Sequence, residues 1–199
     1  MANIFVIIGK SSTGKDTVYR ELLTDRSLEL KNYVSYTTRP MRDGERDGSE
    51  YHFVSDEEYL KYRKNKEIIE ERCYNTIMGD WHYFTADDGS FEADEDIIMT
   101  GTLESYSSLK AYFGIEKVKP VFIDCADRSR LMRAIAREDK REIPQYKEMC
   151  RRFVSDSDDF SEEKIKECGI ERIFINEDLK KCVSEISDFI RNEQKRNAD

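Results

Sequence analysis

The stretch Asn3-Ile4-Phe5-Val6-Ile7-Ile8-Gly9-Lys10-Ser11-Ser12-Thr13-Gly14-Lys15-Asp16-Thr17 decides the fold. Its first six residues form a short, continuous run, mostly β-branched or aromatic, closed by Gly9. That is the signature of a buried strand. Thr17 to Leu23 then carries a helical pattern. Between strand and helix, Gly9 and Gly14 permit a tight loop, and the unpaired N–H groups opening the helix converge on a phosphate. Lys15 stands where its ammonium would neutralise the β- and γ-phosphates of a nucleotide. Gly9, Ser11, Ser12, Thr13, Gly14, Lys15, Asp16 and Thr17 are therefore the candidate phosphate-loop residues. The strict pattern puts Ser or Thr directly after the lysine, whereas Asp16 stands here and Thr17 offers the nearest hydroxyl. A carboxylate beside a polyphosphate repels it unless Mg²⁺ lies between them. Asp16 and Thr17 are accordingly read as holding hydrated Mg²⁺ through water.

Working outward, Glu95–Thr100, Lys119–Ile123 and Arg172–Ile175 repeat the short apolar run. Each precedes a helical candidate: Thr102–Tyr112, Arg128–Asp139 and Asp178–Arg191. Strands alternating with helices imply crossover units and a parallel sheet, hence an open α/β fold. Two regions break the rhythm. Residues 35–92 read as short polar strands and turns punctuated by Gly44, Gly48, Gly79 and Gly89. Within them Ser55-Asp56-Glu57-Glu58 has the form of a capping box, predicting a helix to about Asn65. The second region is helical, basic and interrupted by Pro144. The expected organisation is a core of residues 1–34, 93–127 and 166–199, an inserted lobe at 35–92, and a helical lid at 128–165.

Composition bounds the partners. The 199 residues carry 42 Asp and Glu against 33 Lys and Arg, a net charge of −9, which argues against charge-driven nucleic-acid binding. With 11 Tyr and 10 Phe the chain is not a disordered polar one. No apolar run approaches the roughly 20 residues that cross a bilayer. Ile4–Ile8 is too short for a signal-peptide core and lacks a basic leader. Five cysteines, odd in number and never spaced as a metal pair, imply a reduced, cytoplasmic protein. From Arg128 to Arg152 nine basic residues face four acidic ones, so this stretch is +5 while the rest is −14. It reads either as a localised anion site or as a solvated helix. If helical, it sets Arg130, Arg133 and Arg137 on one face.

The segment Ser35-Tyr36-Thr37-Thr38-Arg39-Pro40-Met41-Arg42-Asp43-Gly44-Glu45-Arg46-Asp47-Gly48-Ser49-Glu50-Tyr51-His52-Phe53-Val54 is the most specific text in the chain. It sets a hydroxyl (Ser35), two guanidiniums (Arg39, Arg42) and a phenol (Tyr51) on turn-rich backbone, a second group of phosphate donors. A plain hairpin is the competing reading, with Asp43, Glu45, Asp47 and Glu50 neutralising the arginines. The segment resembles the GMP-binding signature of the guanylate kinase family, S-x-T-T-R-x-x-R-x-G-E-x-x-G-x-x-Y-x-F, at every fixed position. That resemblance implies a P-loop kinase core with a parallel sheet flanked by helices, an inserted GMP-binding lobe and a mobile helical lid. It also implies transfer of the γ-phosphoryl of ATP to GMP with Mg²⁺. On it, Ser35, Arg39, Arg42 and Tyr51 would hold the GMP phosphate, and Ile68-Ile69-Glu70 would supply the carboxylate that reads guanine, with Glu71 the alternative register. Thr85 would supply a hydroxyl near the base. Lys15, Arg133, Arg137 and Arg152 would be catalytic, with Arg151 the alternative to Arg152. His52 and His82 read as structural, since a GMP phosphate needs no general base.

The departures matter as much. The family's D-x-D element aligns with Thr100 and Thr102, which keep hydroxyls at the acceptor site but lose both charges. The chain is also a few residues longer than usual between Glu70 and Thr85. Another monophosphate acceptor on the same fold, or a non-catalytic binding module, are the alternative readings.

Overall fold

β1 (Ile4–Ile8) is buried along its whole length in the computed structural model, which describes residues 2–42, 44–76, 79–92 and 94–196. Side chains alternate across a strand. Ile4, Val6 and Ile8 therefore enter one apolar cluster, and Phe5 and Ile7 the other. A strand covered on both faces needs no polar alternation, which is why this one reads as an unbroken apolar run.

After β1 come α1 (Lys15–Thr24), a 3-10 turn (Arg26–Leu28), β2 (Lys31–Asn32), β3 (Tyr36–Thr37), β4 (His52–Phe53) and α2 (Asp56–Asn65). Next are β5 (Ile68–Thr76), β6 (Gly79–Ala86), β7 (Ile97–Thr100), α3 (Leu103–Phe113) and β8 (Val118–Asp124). The chain finishes with α4 (Asp127–Glu138), α5 (Tyr146–Asp159), α6 (Glu162–Glu167), β9 (Ile173–Ile175) and α7 (Leu179–Arg196). The first sheet has the order β2-β7-β1-β8-β9 and is parallel throughout. α3 covers one face through Leu103, Tyr106 and Leu109. α1 and α7 cover the other through Val18, Leu22, Cys182, Ile186 and Ile190. This is the α/β architecture the strand–helix alternation predicts. The edge strand β2 was not legible, because its two residues are exposed and carry no apolar run.

Between β2 and β7 the chain builds a second sheet, β4-β3-β6-β5. β5 and β6 form an antiparallel pair whose register shifts between Ile68 and Glu70, so that Glu70 lies opposite Thr85. α2 starts with the expected capping box: Glu58 N donates to Ser55 Oγ at 3.2 Å, and Ser55 N donates to Glu58 Oε2 at 2.8 Å. The buried Tyr33 hydroxyl meets both Ala86 O and Ala86 N at 2.9 Å, pinning the end of β6 to the segment following β2. His82 stacks on Tyr59 at 4.1 Å and His52 packs on Tyr36 at 4.8 Å, within the lobe's aromatic packing.

The carboxyl ends of the parallel strands define where a ligand can sit. Gly101 N donates to Ile7 O at 2.9 Å and Asn176 N to Asp124 O at 2.7 Å, so the loops after β1, β7, β8 and β9 gather at one edge.

Candidate active site

The loop between β1 and α1 admits no side chain at its two glycines. A Cβ on Gly9 would stand 2.3 Å from Ile123 O, and one on Gly14 would meet Asn176 Nδ2 at 2.5 Å, with φ already at +90°. Ser12 also adopts a left-handed φ of 64°. The loop is held from behind. Asn176 Nδ2 donates to Thr13 O at 2.7 Å, and Arg133 donates to Thr13 O at 3.1 Å and to Asn176 O at 2.8 Å. Thr13 Oγ1 donates to Lys10 O at 3.0 Å. Ser11 N and Oγ donate to Asp156 of α5 at 2.8 and 3.3 Å. Lys15, Asp16 and Thr17 occupy the first turn of α1, with Asp16 and Thr17 exposed.

A cavity of about 610 Å³ opens beside this turn. Lys15 and Asp16 line one wall, Ser35, Glu50 and Tyr51 another, and Thr100 and Thr102 the end nearest the sheet. Six candidate residues from three separate stretches of sequence are thus brought to one space. Thr102 is also the N-cap of α3, its Oγ1 accepting from Ser105 N at 3.2 Å.

Arg39 and Arg42 do not line the cavity; Arg39 packs on Tyr51, which does, and is only 4% exposed. Its guanidinium is clamped by both oxygens of Glu45 at 2.6 Å and rests on the rings of Tyr51 and Phe53, at 5.2 and 5.1 Å. The hydrogen bond from Arg39 is the main reason the Glu45 carboxyl falls to about 2. Burial pushes the neighbouring Tyr51 phenol upward, so it stays protonated and able to donate. Arg42 is exposed, and its backbone N donates to Glu45 at 2.8 Å. Glu45 thus balances Arg39, as the hairpin reading allowed; Asp43 lies outside the described residues.

Glu70 and Thr85 meet, Thr85 Oγ1 donating to Glu70 Oε1 at 2.9 Å. Glu71 points elsewhere and accepts from Tyr59 OH at 2.5 Å. Glu70 is buried and forms an ion pair with Arg72, and it is Arg72 that lines the cavity. Sequence reasoning passed over Arg72. Its signal was its place two residues after Glu70 on a strand, where both side chains share a face.

The basic face of α4 is less uniform than its spacing suggests. Arg130 is 1% exposed and already neutralised, donating to Asp156 at 2.6 Å and Asp127 at 2.7 Å, so it is not a free cation. Arg133 sits behind the phosphate loop. Arg137 is exposed, 3.8 Å from Glu138. Arg151 and Arg152 both pair with Glu148, at 2.7 and 2.8 Å. None of Arg133, Arg137 and Arg152 stands on the cavity wall.

Residues 1–193 match the family model described as guanylate kinase. The chain belongs to the guanylate kinase family. Among its relatives, a guanylate kinase of Porphyromonas gingivalis is 32% identical over 126 residues, covering 62% of this chain and 65% of that protein. One from Helicobacter hepaticus is 32% identical over 68% of this chain and 66% of the relative. These two alignments span just under two thirds of the relatives' own lengths. A guanylate kinase of Anaplasma phagocytophilum is 27% identical over 96% of this chain and 87% of its own. In fold, the chain is similar to the crystal structure of guanylate kinase from Anaplasma phagocytophilum, with a TM-score of 0.67 at 22% identity over 97% and 86% of the two chains. This guanylate kinase family member therefore shares the P-loop kinase fold across nearly its full length.

Proposed function

We propose that the protein transfers the γ-phosphoryl group of ATP to GMP, giving ADP and GDP. The observation that carries this reading is that Lys15 of the phosphate loop and the Ser35 and Tyr51 hydroxyls line one cavity. Phosphoryl transfer asks little covalent chemistry of the protein; alignment and charge neutralisation do most of the work. Lys15 and the loop amides from Gly9 to Thr17 hold the ATP phosphates. Ser35, Arg39, Arg42 and Tyr51 hold the GMP phosphate, with Arg39 pre-set by Glu45. An oxygen of that phosphate, already anionic at neutral pH, bonds to the γ-phosphorus as the bond to the β–γ bridging oxygen breaks. Thr100 and Thr102, with the Glu70–Arg72–Thr85 unit, form the base end of the acceptor site.

Among the described residues no group of three or more His, Cys, Asp or Glu could hold a metal unaided. The donor set does fit Mg²⁺, which keeps its waters and takes one or two carboxylates together with substrate phosphates. Asp16 and Thr17 would hold it through water, and it would neutralise charge on the phosphates. Residues 35–92 act as the acceptor lobe and 128–165 as the lid. On closure, Arg133, Arg137 and Arg152 leave their present partners for the transferred group, and water is excluded from it. Among the described residues no helix is long and apolar enough to cross a membrane. A cytoplasmic setting goes with the five free cysteines.

The test is ADP release coupled to an indicator reaction, with ATP and GMP as substrates. Turnover should require both nucleotides, and Lys15→Met should lower kcat about 100-fold or more without changing the circular dichroism spectrum. A folded sample that releases no ADP with any nucleoside monophosphate would end the proposal. Another acceptor on the same machinery is favoured by one observation, the neutral Thr100 and Thr102 on the cavity wall.

A further inference from the structure

Of the four residues proposed to hold the acceptor phosphate, Ser35 and Tyr51 line the cavity, so the attitude of the Tyr51 phenol matters to the ligand. The contacts that orient Tyr51 are made by its ring. Tyr83 of β6 meets it nearly edge-on, with centroids 5.5 Å apart at 74°, and Phe53 does so at 6.1 Å and 71°. The Arg39 guanidinium lies 5.2 Å from the same centroid. Tyr83 is met edge-on in its turn by Tyr74 of β5, at 5.4 Å and 89°. Tyr74 stands two residues beyond Arg72, and the period of a strand sets the two on one face of the hairpin. Arg72 pairs with Tyr83 and Tyr74 with Trp81. Tyr74 therefore reaches Tyr83 along the diagonal, a span that aromatic side chains bridge. Trp81, partly buried, stands directly opposite Tyr74 on β6.

We propose that Tyr74 is a positioning residue of the acceptor site: the long β5–β6 hairpin carries it to the outer side of Tyr83, and through Tyr83 it fixes the Tyr51 phenol for the acceptor phosphate. This rests on the acceptor cavity assigned above and adds to it a residue that does not touch the ligand. In an edge-to-face pair the positive rim of one ring meets the negative face of the next, so each ring has a preferred attitude to its neighbour. Three rings in series then pass on an orientation that a single tyrosine on a loop would not keep. The extra residues between Glu70 and Thr85 fit this role, because a hairpin ending at Arg72 and Tyr83 would leave Tyr83 without the Tyr74 contact. Tyr74 is also 50% exposed, so the folded core depends little on it. Strand propensity alone would place an aromatic residue here as well, but it predicts no link to nucleotide binding.

The experiment measures GMP and ATP binding by calorimetry, with melting temperatures beside it, for the wild type, Tyr74→Ala, Tyr74→Phe, Tyr83→Ala and Tyr74→Ala/Tyr83→Ala. Tyr74→Ala should weaken GMP by about 3- to 10-fold, the range of one aromatic pair, leave ATP within about twofold, and melt close to the wild type. Tyr74→Phe keeps the ring and should bind GMP as the wild type does. In the Tyr83→Ala background, Tyr74→Ala should have no further effect on GMP, since the brace has nothing left to hold. That non-additivity marks a residue acting through another. Should Tyr74→Ala fail to fold, Tyr74→Leu keeps bulk without an aromatic ring and carries the same expectation. GMP binding within about twofold of the wild type in Tyr74→Ala would overturn the proposal. So would equal weakening of GMP and ATP, effects of Tyr74 and Tyr83 that simply add, or loss of GMP binding in Tyr74→Phe. In each of those cases GMP still binds the wild type, and only this inference falls. If the wild type binds no nucleoside monophosphate, the acceptor reading beneath it falls instead.

Discussion

At the scale of single residues, the arginine proposed to hold the acceptor phosphate comes with its counter-ion already attached. Arg39 is almost wholly buried, and Glu45 holds both arms of its fork. Glu45 is depressed from its ordinary 4.5 to about 2, chiefly by that hydrogen bond. A carboxyl lowered on folding binds fewer protons in the native state, so its stabilisation is present above the unfolded value and lost as pH falls. Denaturant titrations of wild type and Glu45→Gln should therefore differ by a constant amount above about pH 4.5, and the gap should close as the pH approaches about 2. A gap that ignores pH across this window would show that the pair contributes nothing. Sequence alone showed that acids stood near Arg39 but could not choose among Asp43, Glu45, Asp47 and Glu50, because the choice depends on how the turn at Gly44 folds back. Glu70 and Glu71 were equally undecidable, since the register shift after Ile68 sets which one meets Thr85.

At the scale of elements, the apolar runs decided most of the fold. β1, β7 and β8 were legible because buried parallel strands concentrate β-branched and aromatic residues; β9 carries the same apolar run although only Phe174 of its three residues is buried. The start of α2 was legible because Ser55 and Glu58 satisfy two backbone donors between them. The start of α3 was read correctly but not its mechanism: Ser105 takes the place usually held by Glu or Gln, donating to Thr102 O at 3.0 Å and accepting from Thr102 N at 2.7 Å. Thr102 thus holds a helix start as well as a place on the cavity wall. Thr102→Ala should cost about 1 kcal/mol in thermal or chemical denaturation, whereas Thr102→Asp, also a good cap, should hold stability near the wild-type value. Equal losses in both variants would mean that the cap is not what Thr102 contributes.

At the scale of the whole molecule, the phosphate loop is tied to helices far from it in sequence. Arg130 of α4 donates to Ser11 O at 3.1 Å, and Asp156 of α5 accepts from Ser11 N at 2.8 Å. Arg130 also lies over the Phe153 ring at 4.6 Å. No spacing rule foretold this knot, because it depends on how α4 and α5 pack. Asp156→Ala leaves the buried guanidinium with exposed Asp127 as its one counter-charge among the described residues, and should lower unfolding free energy by about 3 kcal/mol while raising the KM for ATP more than that for GMP. An unaltered melting temperature with normal kinetics would make the knot incidental. The central place of β1 has a consequence for synthesis. Ile4 is made long before its neighbours Ile97 and Val118. On the ribosome, a nascent chain shorter than about β8 has no finished sheet to shape Gly9–Thr17, and contacts so distant in sequence make folding slow. Nucleotide in the cell therefore cannot chaperone β1 as it is made; it meets a formed loop only once β8 has emerged.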